Sequence, residues 1–500
     1  MFEVDRPLRV ETKVAQIISQ QARTGVHFEK VKANWLLLGL SEKVFAIDRK
    51  AVPQMPLMLV KGNVFKKPFL KSGKPVKYVK TYAEEHASEE WLSQVAAPFS
   101  RVWYEPFDMG KTTKIKEWLI KEGWEPEEWN TKKSDPEKVD EYLEALRGSV
   151  WKEFMDLYLG IPKLRKRCSG PLRRSQVRSH LLSLNKWPTS PKLPKDDEQF
   201  DFEMRKVESS VGLLVRERLM LSHRRSLLRG LIKLVRADGR ISASANPCAT
   251  PTFRMKHRGV VNIPSAKSPY GKQMRQLFSA PKGRVFMGYD ASGLELRMLA
   301  HYINDAAYTD VICNGDAHTM HQQMAGLPTR DDAKTFIYAF LYGAGNAKIG
   351  SIVGGSSQRG AALKQQFLSS NPSLERLITE VQKEAETGYL TGLDNRRIIM
   401  RRSEGRPMLH KALNTKLQAA GAVVMKYAMV FLEHWIKKEG LDAVKVIDMH
   451  DEGQYEVALK DVERVAHHME HCVAYAGEHL KMNVPLASEA KVGKNWYDTH

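Results

Sequence analysis

The chain has 500 residues, with 78 Lys and Arg against 58 Asp and Glu, giving a formal net charge of +20. At 42% hydrophobic and 27% charged residues it can bury a sizeable core, which excludes a disordered tail, and its length suggests several subdomains. The excess positive charge points to a polyanionic partner, nucleic acid first, without saying what is done to it.

The longest apolar runs, such as Trp35–Leu40, are far too short to span a bilayer, so no membrane association is expected. Met1–Val10 lacks the apolar centre of a secretion signal. The four cysteines, Cys168, Cys248, Cys313 and Cys472, include no Cys-x-x-Cys pair, so neither a disulfide framework nor a zinc ribbon is expected.

In chain order, Val14, Ile17, Ile18 and Ala22 recur at helical spacing, and Thr24-Gly25 reads as a stop because Gly readily takes the left-handed cap conformation. Residues 46–130 are mixed, with Lys61, Lys66, Lys67, Lys71, Lys74, Lys77 and Lys80 in loops. Residues 131–200 read as the least regular part. Lys163–Arg178 holds seven basic residues and no acid; the Pro-rich Trp187–Lys195 and the acidic Asp196-Asp197-Glu198 follow. This stretch is expected to be a surface insertion, either a solvated loop or a surface touching nucleic-acid phosphates. Val207–Val235 reads as a basic helix, and Asp238-Gly239 as a turn. From residue 240 short strand-like runs alternate with long helical ones.

Three motifs carry chemistry. Val285–Tyr289 reads as a buried strand ending at Asp290, followed by Ala291-Ser292-Gly293-Leu294-Glu295-Leu296-Arg297. Asp290 either caps the helix that follows, through its own carboxylate or Ser292, or serves a site. Val444–Met449 and Gln454–Val457 read as paired strands around His450-Asp451-Glu452. Two adjacent carboxylates there mark either a hydrated turn or a hard divalent cation such as Mg²⁺. Thr329 reads as an N-cap with Asp332 three residues on, and Arg330, Lys334, Tyr338 and Tyr342 then fall along one side of a helix. The stripe can hold a triphosphate and pack on a base or sugar, or it is an exposed basic face. His467, His471 and Cys472 have a helical metal-ligand spacing, but Val465, Met469 and Val473 read instead as a helix packed on a sheet.

Together these motifs resemble the DNA polymerases of family A, especially those of T7-like phages. Asp290–Arg297 resembles their motif A, Arg330–Gly345 their motif B, and His450-Asp451-Glu452 their motif C, in the same order and at similar wide spacing. His318, Asn414-x3-Gln418, Arg275 in Met274–Phe278, Gly493-Lys494-Asn495-Trp496 and the terminal His500 also match. The resemblance is continuous from about residue 236 to 500.

It implies an α+β right-hand fold: a palm with an antiparallel sheet, and helical fingers and thumb. Residues 1–45 would be an N-terminal palm and thumb segment and 46–240 the thumb, with the basic insertion at about 130–205. Residues 241–305 would be palm with motif A, 306–404 fingers with motif B, and 405–500 palm with motif C. It implies DNA synthesis from dNTPs on a primer–template, by a phage-encoded enzyme in the bacterial host cytoplasm. Asp290, Asp451 and the Ala291 carbonyl would bind two Mg²⁺ ions, with Mn²⁺ able to substitute. Glu452 would be a nearby acid rather than an obligatory ligand. His318, Arg330 and Lys334 would hold the triphosphate, with Lys334 as general acid to the pyrophosphate. Tyr338 would pack on the incoming nucleotide and favour acceptance of dideoxynucleotides. Glu295, bonded by Tyr342, would exclude a 2′-hydroxyl. Arg254, Arg275, Asn414, Gln418 and His450 would contact primer–template.

The chain departs from the resemblance in three places. The usual Thr-Gly-Arg before motif A is Thr252-Phe253-Arg254. The thumb-like helix starts near residue 11, so no 3′–5′ exonuclease domain and no self-editing are expected, although a separate exonuclease subunit would fit. A processivity factor is compatible with the Lys-rich 60–90 and basic 163–178 regions, but thioredoxin binding does not carry over. The chain is expected to work as a monomer. The rivals are a single-subunit RNA polymerase, disfavoured by Glu295 and the His-Asp-Glu triplet, and a non-catalytic basic DNA-binding protein.

Overall fold

The structure is a computed structural model that describes every residue except 1–4, 68, 78, 82–98, 127, 134–135, 146–151, 169, 185, 194–206, 404 and 500. The chain forms two compact units, one of Met1–Leu36 with Leu227–His500, the other of Leu37–Ser226. The boundaries fall inside two helices, Lys30–Ala51 and Ser210–Leu234.

At the centre of the first unit is a four-stranded antiparallel sheet. Its strands are β1 (Arg284–Ala291), β2 (Ala443–Met449), β3 (Glu452–Ala458) and β4 (Ser488–Gly493), in the order β2-β3-β1-β4. The register pairs Asp290 with Glu452 and Met287 with Tyr455. Strand β3 is buried from Glu452 through Val457, so it reads as a continuous run rather than an alternating one, as a strand covered on both faces does. Gly288 lies opposite Gln454, where an added Cβ would come within 2.3 Å of the Gln454 amide. A side chain at 288 would displace the buried Gln454 amide, which donates to Glu452.

The helices that position the site are α1 (Asp5–Thr24), α2 (Leu294–Ile303), α3 (Ala317–Ala325), α4 (Arg330–Leu341), α5 (Ala412–Lys438) and α6 (Val462–His479). Helix α1 ends at Thr24, as the sequence indicates. Gly25 has φ +68, and a Cβ there would meet the Ile241 carbonyl at 2.9 Å. Helix α1 packs on α5 and β2, and α6 on β1 and β4. Beside α4, the rings of Phe336, Phe340 and Phe367 lie 5.2–5.9 Å apart. Phe336 and Phe367 are fully buried, each burial contributing about 1.5–3 kcal/mol.

In the second unit, strands Met58–Phe65 and Phe99–Glu105 pair antiparallel. Of the Lys-rich 60–90 region, residues 82–90 lie outside the described ones. The region expected to be irregular is a small folded module. Strands Trp129–Lys133 and Lys186–Pro191 close it, and short helices fill it, including Pro136–Ala145, Ile161–Arg167 and Arg174–Leu182. Val139, Leu159, Ile161, Leu181 and Trp187 form its core, and Leu172 and Val177 pack against it. Much of the basic 163–178 stretch is helical, within Ile161–Arg167 and Arg174–Leu182, and Leu172 and Val177 between its charges pack against this core. Some of the charge is also neutralised locally: Arg178 donates to both oxygens of Asp140 at 2.6 and 2.7 Å. Lys195 and the acidic cluster at 196–198 lie outside the described residues.

Candidate active site

The site is built where β1 ends and β2 turns into β3. Asp290, at the exposed end of β1, is the register partner of Glu452, which places their Cα atoms about 5 Å apart. The Ala291 amide donates to the Asp451 carbonyl at 3.2 Å and ties the turn to β1. His450 takes φ +58, a left-handed conformation that His adopts more readily than bulky residues, and this makes the reversal tight. The cap position of α2 is Gly293, at φ +59, and it makes no side-chain cap.

The two neighbouring carboxylates have different environments. Glu452 is buried and accepts from the Trp496 indole and the Gln454 amide, so it is not a hydrated turn residue. Asp451 lines a cleft with Arg254, Glu295, Gln418 and His450. Burial pushes the Asp451 carboxyl up, Arg254 opposes this, and Glu452 and Glu295 add to it. Below the turn, Asp448 is buried with Lys445 Nζ 3.1 Å away and His257 Nε2 3.4 Å away. Burial raises this carboxyl, but the two partners outweigh burial and hold it below its ordinary value. The His257 ring stands edge-on to His450 at 5.2 Å. No local pattern in the sequence marked this cluster, since Lys445 and Asp448 look like ordinary strand-end charges.

Both α3 and α4 start at side-chain caps. Asp316 caps α3, accepting from the His318 and Thr319 amides at 3.1 and 3.3 Å. Thr329 caps α4, accepting from the Asp332 amide at 3.0 Å. Arg330 donates to both Asp316 oxygens at 2.7 and 3.1 Å, joining the two caps. Arg330 and Lys334 are exposed, and the half-buried Tyr338 ring lies 6.2 Å from His318. Burial holds His318 down, with Arg330 and Lys334 adding to it. Burial also pushes the Tyr338 phenol up, with Glu295 and Asp451 contributing, so it stays a donor at neutral pH. That influence couples α4 to Glu295 on α2 and to Asp451 in the β2–β3 turn. Tyr342 donates to Glu295, which also accepts from Arg254 Nη2 at 3.0 Å. Burial, then Glu295, pushes Tyr342 up to about 12.

Asn414 and Gln418 lie one turn apart on α5, and Gln418 reaches the Asp451 cleft. Arg275 departs from the expectation of a primer–template contact. It is 6% exposed, donates to the Pro264 carbonyl at 2.9 Å, and lies 4.5 Å over the Trp496 ring. It belongs to the buried network of Glu452 and Trp496, where an isolated guanidinium gains a stacking face and an opposite charge. His500 lies outside the described residues. In the His467, His471 and Cys472 group, the Cys472 thiol is fully buried and pushed up to about 12 by burial, and His471 Nδ1 lies 2.7 Å from the His467 carbonyl.

Phe253 was visible in the sequence only as a departure. It has φ +58, a conformation that costs a bulky residue about 1–3 kcal/mol. Its ring centroid lies 4.7 Å from the Arg396 guanidinium and 5.7 Å from the Lys426 ammonium. A desolvated cation on an aromatic face contributes about 2 kcal/mol, enough to offset such strain.

An antiparallel sheet carrying carboxylates at its strand ends, set beside a helical region, defines an α+β right-hand polymerase fold. Among solved structures, the POL domain of Pol1 from M. smegmatis, in complex with DNA primer-template and dNTP, matches 98% of this chain and 70% of its own. The TM-score is 0.68 at 16% identity. The family model described as DNA polymerase family A matches residues 192–498, and the chain belongs to that family. It is 38% identical, over 99% of both chains, to the DNA-directed DNA polymerase of Escherichia phage Phieco32. The DNA-directed DNA polymerase of Escherichia phage T7 is 35% identical over 57% of this chain, which spans 46% of that relative's length. Among the described residues no helix is long and apolar enough to cross a membrane.

Proposed function

We propose that this chain extends a primer 3′ end with dNTPs on a DNA template, in phage DNA replication within a bacterial host cell. The observation that supports this best is the meeting of Asp290 and Asp451 at one end of the sheet, within electrostatic reach of the Tyr338 helix face. The palm would comprise 241–305 and 405–500, the fingers 306–404, and the thumb 46–240, with 1–45 joining palm to thumb.

Asp290, Asp451 and the Ala291 carbonyl would hold Mg²⁺. They offer hard oxygen donors, and Mg²⁺ completes its shell with water and substrate phosphate rather than a closed protein cage. The bound ions would lower the pKa of the primer 3′-hydroxyl and stabilise charge on the leaving pyrophosphate. Arg330, pre-aimed by Asp316, would clamp the triphosphate with His318 and Lys334, and Lys334 would give a proton to the pyrophosphate. Tyr338 would pack on the sugar and base. Glu295, held at one oxygen by Tyr342 and Arg254, would occupy the space a 2′-hydroxyl needs. Arg254, Gln418, Asn414 and His450 would follow the primer–template through minor-groove acceptors, which are similar for every correct pair.

The deciding experiment is primer extension with dNTPs against rNTPs. The proposal expects dNTP extension, lost in Asp290→Asn and Asp451→Asn while primer–template binding persists. Extension by either variant, or faster use of rNTPs by the wild type, would overturn it.

A further inference from the structure

Phe253 is tied down more firmly than any loop needs. Lys426 donates to both oxygens of Glu11 at 2.7 Å and to the Pro247 carbonyl at 3.1 Å. Arg396 donates to both oxygens of Asp394 at 2.7 Å and also to Glu11. Two cations and two anions thus sit below the ring. The side chains of Lys426, Arg396, Asp394 and Glu11 are 1%, 4%, 0% and 13% exposed, so the platform is largely dry and electrically balanced. It gathers α1, α5 and the hairpin near 394–396 under a single aromatic ring. Buried charges bound to one another in this way have one arrangement, not a range.

The backbone around the ring is fixed as well. The Phe253 amide donates to the Thr250 carbonyl at 3.0 Å, and the Thr250 hydroxyl donates to the Arg254 carbonyl at 2.8 Å. The next side chain, Arg254, reaches Glu295. A glycine would take φ +58 without strain, so the phenyl group needs a reason other than the turn.

We infer that Phe253 is a positioning residue: its ring, locked on the Glu11–Lys426–Arg396–Asp394 platform, aims Arg254 at Glu295 and so sharpens discrimination against ribonucleotides. The inference rests on the reading of Glu295 as the sugar-excluding residue. Tyr342 and Arg254 both donate to the same Glu295 oxygen, Oε1, and of these two donors only Arg254 stands on a loop. Phe253 makes that loop as rigid as the helices.

The test compares kcat/KM for an rNTP and its dNTP in single-nucleotide primer extension. Phe253→Gly keeps the backbone conformation and removes the anchor. It is expected to raise the rNTP/dNTP ratio about tenfold, with kcat for the dNTP changed less than about threefold. Phe253→Tyr restores the wild-type ratio. Arg254→Gln raises the ratio too, and the double variant Phe253→Gly/Arg254→Gln adds little beyond it, because both act on one contact. A purely structural role would lower both substrates' kcat/KM together and leave the ratio fixed. An unchanged ratio in Phe253→Gly, or fully additive effects in the double variant, overturns the inference while Glu295→Ala still raises the ratio. If Glu295→Ala itself leaves the ratio unchanged, the sugar-excluding reading fails, and the inference falls with it.

Discussion

The two adjacent acids of the β2–β3 turn should respond in opposite ways to loss of charge. Glu452→Ala removes the acceptor for the Trp496 indole and the Gln454 amide and deprives buried Arg275 of its nearby negative charge. Each buried donor left without a partner costs about 1–3 kcal/mol, so the variant should lose about 3 kcal/mol of stability. That corresponds to a fall in Tm of roughly 3–5 °C for a chain of this size. Asp451→Asn should not destabilise. Burial holds the Asp451 carboxyl above its ordinary value, so its ionised form burdens the fold as pH rises through that raised value. Asparagine removes the burden: in metal-free buffer near neutrality the variant's Tm should equal or exceed the wild type's, and any gap should close as pH falls into the carboxylate range. Its extension rate should nevertheless drop by about a thousandfold, as loss of several kcal/mol of charge stabilisation implies. Thermal melts from pH 4 to 8, paired with extension assays well below either Tm, separate the two residues. If Glu452→Ala abolishes extension without a change in Tm while Asp451→Asn unfolds early, the assignment of roles is wrong.

Tyr338→Phe should sharply reduce dideoxynucleotide incorporation while dNTP use stays near normal, measured by competitive termination on a sequencing template. Asp316→Asn should raise KM for the dNTP several-fold with little change in kcat, because Arg330 loses the partner that aims it. His321 is fully buried, with Tyr308 OH 2.9 Å from its Nε2, and burial holds its pKa near about 4 against an ordinary 6.5. Its neutral form is the one the fold prefers, so up to about 3 kcal/mol of stability is lost as pH falls through that window. His321→Phe should flatten the stability curve there, as urea melts between pH 7 and 4 would show. The purified 500-residue chain should release no nucleotide from a mismatched primer 3′ end; release in a thin-layer assay would contradict this.

The parts of the fold visible in the sequence are those where local chemistry and tertiary role agree. Thr24-Gly25 ends α1 because its stop signal is local, and Thr329 caps α4 through a contact three residues long. The strand before Asp290 was legible because Phe286, Met287 and Tyr289 are buried together. What was not legible depends on residues far apart. Glu452 looked like half of a hydrated turn until Trp496, 44 positions on, supplied its donor. Arg275 looked available for DNA, and the same indole claims its face. The 163–178 stretch looked like solvated charge because the eye counts Arg and Lys, while Leu172 and Val177 between them do the packing. Phe253 offered one clue, a phenyl where glycine is usual. Its explanation lies on Arg396 and Lys426, more than 140 residues away.

The module between Trp129 and Pro191 enters and leaves the chain through a single doorway, since those two residues are register partners. Such an insert resembles a cartridge more than a patch. The entropy of closing a loop grows only slowly with its length, so an insert half or twice as long would change the host fold's closure cost by only about 0.6 kcal/mol. Lineages could therefore exchange its contents, and with them whatever the module grips, while the sheet that carries Asp290 and Asp451 is left untouched.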